Sequence, residues 1–279
     1  MDDSTILKIC GLKYAYAGNK LALKGIDMEV HRGERIAIIG SNGAGKSTFF
    51  LNMNGVLTPA EGEIWLNGDR ITRSKQDLNK LRRSVGIVFQ DADNQIIAST
   101  VMGEVSFGPM NLKLPKEEVV RRVDAALSYM NLTEFKDRPP HYLSGGEKKR
   151  ISIADIIAME SEIIIFDEPT AALDPLNADM LEDVLSRLNQ QGKTLLISTH
   201  DVDFAYRWAE RAVVFCDGEI IADDTPLAIF KNDAVLARAN LKKPLLLSVC
   251  EAMAEKKLLT KEHPYPKDIP DFQAMLNEL

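Results

Sequence analysis

Four short apolar runs, set between longer stretches of helical pattern, organise the chain. They cover residues 36–39, 85–89, 163–166 and 194–198, and each is followed by glycine or by polar side chains. Runs that are apolar at nearly every position are typical of strands buried on both faces of a parallel sheet. The chain is therefore predicted to be an α/β protein with a parallel core.

A second kind of strand pattern precedes the first apolar run. Residues 6–16 and 21–30 have β character, with a turn expected at Gly18 and Asn19. The pairs Asn67-Gly68 and Asp217-Gly218 are typical of tight hairpin turns. These patterns predict a small antiparallel β subdomain beside the parallel core.

From residue 91 to about 159 the pattern changes to helix, and the α/β pattern resumes at Ile163. One helix is expected to start near Pro115, because proline and acidic residues favour the first turn. Its apolar side chains recur at helical spacing and predict a core-facing stripe, made of Val119, Val120, Val123, Ala126, Leu127 and Met130.

The predicted organisation is one domain over residues 1–240, with an inserted helical subdomain at about 91–160. Residues 241–279 are predicted to form a short C-terminal tail of helical fragments, because prolines interrupt the pattern there.

Composition and charge narrow the classes of function. The net charge of −7 gives no support for broad electrostatic binding to nucleic acid, although it does not exclude a local basic patch. Three cysteines far apart indicate reduced thiols in the cytoplasm rather than a disulfide framework. The first residues lack a signal-peptide pattern, and no apolar run approaches the ~18 residues of a membrane span. Any membrane role is therefore expected to act through a partner.

The most specific motif directly follows the first apolar run. Residues 40–48, Gly-Ser-Asn-Gly-Ala-Gly-Lys-Ser-Thr, fit the phosphate-binding P-loop. Its backbone N–H groups are expected to bind a phosphate chain, helped by the following helix N-terminus. Lys46 is assigned to the β- and γ-phosphates and Ser47 to Mg²⁺. The expected cofactors are ATP and Mg²⁺, bound by Gly40, Ser41, Asn42, Gly43, Ala44, Gly45, Lys46, Ser47 and Thr48.

Polar side chains end the other three runs, at the sheet edge where α/β proteins bind ligands. Asp167 is predicted to hold Mg²⁺ and Glu168 to polarise the attacking water. Gln90 is either a cap or solvent residue, or a ligand of Mg²⁺ or the attacking water. His200 is either a strand cap or a contact of the γ-phosphate.

Two further features have both an ordinary and a functional interpretation. Ser144, Gly145 and Gly146 precede a predicted helix and form either a simple N-cap or a second anion site. One phosphate loop is already present, so the second site is expected to serve another subunit's ligand. Tyr14 is interpreted as a half-buried strand residue, whereas Tyr16 is a candidate for stacking on adenine.

The order of these motifs resembles the ATP-binding-cassette (ABC) ATPases over roughly residues 5–235. The resemblance rests on the P-loop, Gln90, Leu-Ser-Gly-Gly-Glu at 143–147, Ile-Ile-Ile-Phe-Asp-Glu at 163–168, and His200. It implies that two cassettes pair head to tail, with ATP between the P-loop of one and the Ser144–Glu147 signature of the other.

The same resemblance implies roles for individual residues. Tyr16 becomes the adenine-stacking aromatic, Gln90 the residue that couples the metal and water to the partner, and Glu168 the catalytic base. Asp174 becomes a contact across the dimer, and His200 the γ-phosphate switch. Glu147 stands where many members have glutamine, and its side chain is not the phosphate ligand.

Two segments, 88–96 and 105–112, resemble the ATPase subunit of energy-coupling-factor (ECF) importers, especially the cobalt/nickel type. This implies a transmembrane coupling subunit, a substrate-binding membrane subunit, and a peripheral location on the cytoplasmic face of the cell membrane. Asp93, Asn94 and Gln95 are assigned to the groove for the coupling subunit. The second cassette is either another copy of this chain or a paralogue. Vitamin uptake, or a soluble ABC ATPase of DNA repair or translation, stays as an alternative.

Overall fold

The computed structural model describes residues 4–17, 20–92, 95–171, 173–258 and 265–277. The strands in these ranges are β1 (Thr5–Ala15), β2 (Leu21–His31), β3 (Arg35–Ile39), β4 (Glu61–Leu66), β5 (Asp69–Ile71), β6 (Val85–Val88), β7 (Ile163–Asp167), β8 (Thr194–Thr199), β9 (Arg211–Cys216) and β10 (Glu219–Asp224). The helices are α1 (Lys46–Met53), α2 (Lys75–Ser84), α3 (Val101–Asn111), α4 (Lys116–Tyr129), α5 (Gly145–Met159), α6 (Pro175–Gln190), α7 (Val202–Trp208), α8 (Pro226–Phe230), α9 (Asp233–Ala239), α10 (Leu245–Glu255) and α11 (Ile269–Asn277).

The four apolar runs form neighbouring strands of one sheet, in the order β10-β9-β3-β8-β7-β6. Strands β3, β8, β7 and β6 are parallel, and β10 alone of the six pairs antiparallel, against β9. The predicted parallel core is confirmed. Since all four runs point the same way, the polar residues that follow them meet at one edge of the sheet.

The two faces of this sheet pack against different layers. Along β3, Ile36 and Ile38 join the cluster formed with β1, β2 and α1, whereas Ala37 and Ile39 join the cluster formed with α5, α6 and α7. Alternate residues of a strand point to opposite faces, so a strand between two layers must be apolar throughout. This explains why the core strands lack a polar face.

The first layer is a four-stranded antiparallel sheet in the order β2-β1-β4-β5, as predicted. Asn67 and Gly68 connect β4 to β5 with positive φ angles of 51° and 83°. Asp217 and Gly218 connect β9 to β10 with φ angles of 48° and 80°. Both hairpin predictions are thereby confirmed, while the turn predicted at Gly18 and Asn19 lies outside the described residues.

Helices α3, α4 and α5 form the inserted helical subdomain. In the predicted stripe of α4, Val119, Val123, Ala126, Leu127 and Met130 are buried. Val120 is 50% exposed, so its assignment to the core was wrong. It follows the buried Val119 by one position, and consecutive residues on a helix point about 100° apart.

Helix α5 lies close against strand β6 because Gly86 has no side chain. A Cβ atom at this position would stand 2.5 Å from Cγ2 of Ile156. This contact fixes the second half of α5 against β6, and Lys149, nearer the start of α5, bonds to the backbone of Phe89 and Gln90 just after the strand.

The C-terminal helices pack onto the core. Leu247 of α10 is fully buried in the larger hydrophobic cluster, and Cys250 packs with Met275 of α11. The backbone N–H of Leu245 donates to Oδ1 of Asp203 at 2.7 Å, which ties α10 to α7. Across the described ranges, no helix combines the length and apolar composition that crossing a membrane requires.

Candidate nucleotide site

The loop between β3 and α1 has the backbone shape that the P-loop motif predicts. Gly40 leaves β3 with a φ of 152°, and a Cβ there would lie 2.3 Å from the carbonyl oxygen of Phe215. Gly45 caps α1 with a φ of 109°. Both positions therefore require glycine, and α1 begins at Lys46 with its N–H groups facing the loop.

The loop borders a cavity of about 310 Å³ at the edge where the parallel strands end. Most of the predicted site residues meet here. The lining comprises Tyr16, Ala22, Asn42, Gly43, Ala44, Gly45, Lys46, Ser47, Thr48, Gln90, Asp167 and Glu168.

Lys46 is buried at the floor of this site. Its Nζ donates to the carbonyl oxygens of Gly40 at 2.7 Å and Ser41 at 3.3 Å, and lies 3.9 Å from Oε1 of Glu168. Burial lowers the pKa of Lys46. Gly40 and Ser41 thus join the site through their carbonyl groups, and the ammonium group has no close anionic hydrogen-bond partner among the described residues.

The two acids after β7 are held by a residue of the neighbouring strand β8. The Ser198 hydroxyl donates to Oδ1 of Asp167 at 2.5 Å and accepts from the backbone N–H of Glu168 at 2.8 Å. Glu168 has a φ of 46°, a strained value for glutamate. Ser198 therefore holds the carboxylate of Asp167 and the backbone of Glu168.

His200 follows β8 and contacts the proposed catalytic base. Its Nδ1 lies 2.7 Å from Oε2 of Glu168, while Oε1 of Glu168 is buried without a hydrogen bond in the described part of the chain. Both oxygens of Glu168 are therefore oriented within the site, one toward His200 and one toward Lys46.

Tyr16 lies at the border between this cavity and a second one of about 450 Å³. Its ring is half exposed, and its hydroxyl lies 3.1 Å from Oγ1 of Thr48. Tyr14 packs edge-on against it, with ring centroids 5.0 Å apart, and is half-buried as predicted. An exposed aromatic face beside a phosphate loop is suited to stacking on a base.

The signature residues do not reach this cavity. Ser144 caps α5, and its side chain and that of Glu147 form a reciprocal capping box. Oε2 of Glu147 accepts from the Ser144 backbone N–H at 2.7 Å. The ordinary N-cap role is therefore present, yet Ser144 and Gly145 are exposed at a helix N-terminus and Gly146 is partly so.

Asp174 likewise lies apart from the cavity. Its carboxylate caps α6 by accepting from the backbone N–H of Asn177 at 2.9 Å and from its side-chain amide at 2.7 Å. The Asn177 side chain in turn packs against Gly146, where a Cβ would be 2.8 Å from Nδ2. Asp174 and the signature thus share one surface of the chain.

The oxygen donors in the cavity fit Mg²⁺. The Ser47 hydroxyl, the Gln90 carboxamide and the Asp167 carboxylate line one space. These are hard ligands, and a site with few protein carboxylates suits an ion that keeps waters and binds phosphate oxygens. Within the described ranges no cluster of three or more His, Cys, Asp or Glu side chains could hold a metal on its own.

Sequence reasoning missed two residues that act on the site. Ser198 is a polar residue directly after the apolar residues 195–197, at the carboxyl end of the strand, and that contrast was the available signal. Lys149 is buried, and its Nζ donates to the carbonyl oxygens of Phe89 at 2.7 Å and Gln90 at 3.1 Å. It stands in a run of three basic residues, which gave no sign of burial.

Comparison with known proteins identifies the family. A family model described as "ABC transporter" matches residues 23–171, more than half of the chain. The energy-coupling factor transporter ATP-binding protein EcfA of Methanothermobacter thermautotrophicus is 48% identical over 86% of this chain and 77% of the relative. EcfA2 of Methanospirillum hungatei is 44% identical over 91% of this chain and 64% of the relative, so the chain spans under two thirds of that protein.

Solved structures agree. CbiO1 from Clostridium perfringens, described as part of the ABC transporter complex cbiONQ, is 41% identical with a TM-score of 0.75, covering 90% of this chain and 99% of that one. A dimeric post-hydrolysis structure of the ATP-binding cassette MJ0796 with ADP and Pi is 31% identical with a TM-score of 0.71, covering 79% and 99%.

The chain belongs to the ATP-binding-cassette family of transporter ATPases. It is an ATPase with the fold of that family, and its similar proteins include the ATP-binding proteins of energy-coupling-factor transporters. The predicted fold class, the family resemblance and the ATPase activity are confirmed, while the roles of single site residues stay predictions.

Proposed function

We propose that this chain is the ATP-hydrolysing subunit of an ECF-type importer, peripheral to the cytoplasmic face of the membrane. The observation that supports it most is a divided site. Lys46, Gln90, Asp167 and Glu168 surround one cavity, whereas the signature at the start of α5 lies outside it. An anion site at the exposed N-terminus of α5 would then serve the ATP of another cassette.

The proposed working unit is a head-to-tail dimer that encloses two ATP molecules. The second cassette is either another copy or a paralogue. Tyr16 would stack on adenine and the loop 40–48 would hold the phosphates. The surface formed by Ser144, Gly145, Gly146, Glu147 and Asp174 would face the partner's ATP.

In this proposal hydrolysis depends on positioned charges. Lys46 would exchange its bonds to the Gly40 and Ser41 carbonyls for oxygens of the β- and γ-phosphates. Bound Mg²⁺ would neutralise phosphate charge, held by Ser47, Gln90 and Asp167. Glu168 would orient the attacking water and accept its proton, and His200 would leave Glu168 to contact the γ-phosphate.

The test of the catalytic role is Glu168→Gln. The amide keeps the size of the side chain but cannot accept the proton, so we expect kcat to fall by about 10²–10⁴-fold. ATP binding should persist, and gel filtration should show an ATP-dependent dimer. The matched control is Glu117→Gln, at an exposed position of α4. Unimpaired turnover in Glu168→Gln would exclude Glu168 as the base.

The proposed cargo is cobalt or nickel, with a transmembrane coupling subunit and a substrate-binding membrane subunit as partners. It rests on the segments 88–96 and 105–112 and on similarity to proteins named as ECF ATPases or as part of cbiONQ. Of the groove residues, Asp93 and Asn94 lie outside the described residues. Gln95 is described, and its Oε1 accepts from the backbone N–H of Phe89 at 3.2 Å.

Co-purification of the tagged chain from detergent-solubilised native membranes tests the assembly. We expect a small set of integral membrane proteins, and uptake of radioactive cobalt or nickel by liposomes containing the complex. Vitamin uptake instead of metal uptake would change the cargo only. Recovery of the chain with ribosomes or repair factors would exclude the importer and leave the ATPase.

A further inference from the structure

Helix α5 holds the backbone of the segment that carries Gln90. Lys149 is the fourth position after the signature's Gly145, and it is 6% exposed. Its Nζ donates to the carbonyl oxygens of Phe89 at 2.7 Å and Gln90 at 3.1 Å. A buried ammonium group is costly unless it is hydrogen-bonded, so the two carbonyls and the ammonium hold each other in place.

A second contact links α5 to the other backbone polar group of Phe89, its N–H. The Phe89 backbone N–H donates to Oε1 of Gln95, and the Gln95 side chain donates to the carboxyl group of Asp155. The Phe89 carbonyl is therefore bonded directly to Lys149 of α5, and the Phe89 N–H is linked to Asp155 of α5 through the Gln95 side chain. Residue 89 is the last position before Gln90 in the nucleotide cavity.

The two ends of this connection belong to different nucleotide sites. Gln90 lines the cavity of its own chain, whereas the α5 N-terminus carries the signature. Lys149 lies within the first two turns of α5, so a rotation of α5 must displace the Phe89 and Gln90 carbonyls or break the bonds to them. In the closed dimer, α5 would be placed by the partner's ATP.

We propose that Lys149 is a positioning residue that couples the signature helix to Gln90, so that engagement of the partner's ATP sets the position of Gln90 in this chain's own site. The inference rests on the proposed dimeric function. Lys149 is not among the residues that line the nucleotide cavity, and it acts through the Phe89 and Gln90 backbone.

The test compares four substitutions in the purified full-length chain. Lys149→Met keeps the length of the side chain and removes every donor, whereas Lys149→Arg keeps a cation with donors. Gln95→Leu removes the acceptor of the Phe89 backbone N–H and keeps Lys149. Lys116→Met, at an exposed position of α4, is the matched control.

We expect Lys149→Met to lower kcat by about tenfold or more, because small displacements of positioned groups have large kinetic effects. The KM for ATP should stay within about twofold, since the P-loop is untouched. Amide hydrogen exchange over residues 87–92 should accelerate, and ATP-dependent dimerisation in a Glu168→Gln background should weaken. Lys149→Arg should recover most of the activity, Gln95→Leu should show a smaller loss, and Lys116→Met should match the wild-type chain.

Two outcomes would overturn the inference. One is that kcat and the amide hydrogen exchange of residues 87–92 are both unchanged in Lys149→Met, and the other is that the only loss is a higher KM for ATP. If Lys149→Met does not fold, the same two measurements on Gln95→Leu, kcat and the amide hydrogen exchange of residues 87–92, test whether the link from α5 to Phe89 matters for turnover. If the Glu168→Gln parent does not dimerise with ATP, the homodimer in the proposed function fails, while kcat and hydrogen exchange still decide the role of Lys149.

Discussion

At the scale of single residues, Ser198 shows that the site depends on a side chain to which no step of ATP hydrolysis is assigned. One hydroxyl group bonds to both Asp167 and Glu168, from a strand separated from them by some thirty positions in sequence. The strained φ of Glu168 persists because its N–H also donates to the Ser198 carbonyl oxygen at 3.2 Å.

Ser198→Ala should lower kcat by about 10–100-fold, because Glu168 loses one of the two bonds that fix its backbone and the direction of its carboxylate changes. It should also cost roughly 1–3 kcal/mol in the free energy of unfolding, since Asp167 loses a buried donor. Steady-state ATPase assays and urea unfolding measure the two effects.

The control is Ser152→Ala in α5, where another buried hydroxyl donates to the Lys148 carbonyl oxygen at 3.2 Å. It tests the general cost of deleting a buried hydroxyl and should keep wild-type kcat. Equal kcat in both variants and the wild-type chain would show that Ser198 does not position the acids.

Residue identity alone was enough to predict that the P-loop, Asp167 and Glu168 lie at one cavity. Each of these features directly follows an apolar run, so it can be recognised from neighbouring residues. Residue identity was not enough for Ser198 or Lys149. Ser198 acts on residues of another strand, and Lys149 acts on backbone carbonyls, which no sequence motif records.

At the scale of elements, α5 combines the signature with a buried titratable group in its second half. Burial, and repulsion from Glu104 of α3, raise the pKa of Asp155 from 3.8 to about 7. Its Oδ1 is buried without a hydrogen bond among the described residues. The carboxyl group is therefore protonated in the folded chain at mildly acidic pH.

Asp155→Asn should remove a loss of folding stability that grows as the pH rises. Between about pH 4 and pH 7 the unfolded chain has released this proton and the folded chain keeps it, so wild-type stability falls as the pH rises. Relative to wild type, the free energy of unfolding of Asp155→Asn should rise over this range by as much as about 4 kcal/mol, and stay level above pH 7.

Urea unfolding at several pH values tests this expectation, with Asp124→Asn at an exposed position of α4 as the control. A constant difference between Asp155→Asn and wild type from acid to neutral pH would contradict it. The comparison between variants cancels the other groups that titrate in the same range.

Periodicity predicted most strands and the helix α4, because each depends on the residues within one element. It misassigned Val120, because the width of the buried stripe depends on how α3 and α5 cover α4. The short helices α8 and α9 were not predicted, since five to seven residues give too few turns for a clear period.

At the scale of the whole molecule, the C-terminal helix α10 packs against α7, the helix that begins two residues after His200. Leu247 lies in the same hydrophobic cluster as residues of α7, and Lys243 bridges Asp233 at 3.2 Å and Glu251 at 2.8 Å. The tail thus contributes to the core although its sequence pattern is weak.

Leu247→Ala should reduce the free energy of unfolding by about 2–5 kcal/mol, the usual range for emptying a buried leucine site. Leu245→Ala in the same helix is the control, because Leu245 is 70% exposed and should change stability by less than about 0.5 kcal/mol. Both can be measured by urea unfolding. Equal effects would show that α10 does not pack on the core as described.

The sequence by itself determined the family, the parallel core and the phosphate loop. These follow from apolar runs and from residues that are adjacent along the chain, where local geometry decides the outcome. Only the tertiary structure decided that Ser198 joins the two acids, that Lys149 ties Phe89 and Gln90 to α5, and that the signature lies outside the cavity. Each of these depends on contacts between distant segments, and packing sets those contacts rather than local preference.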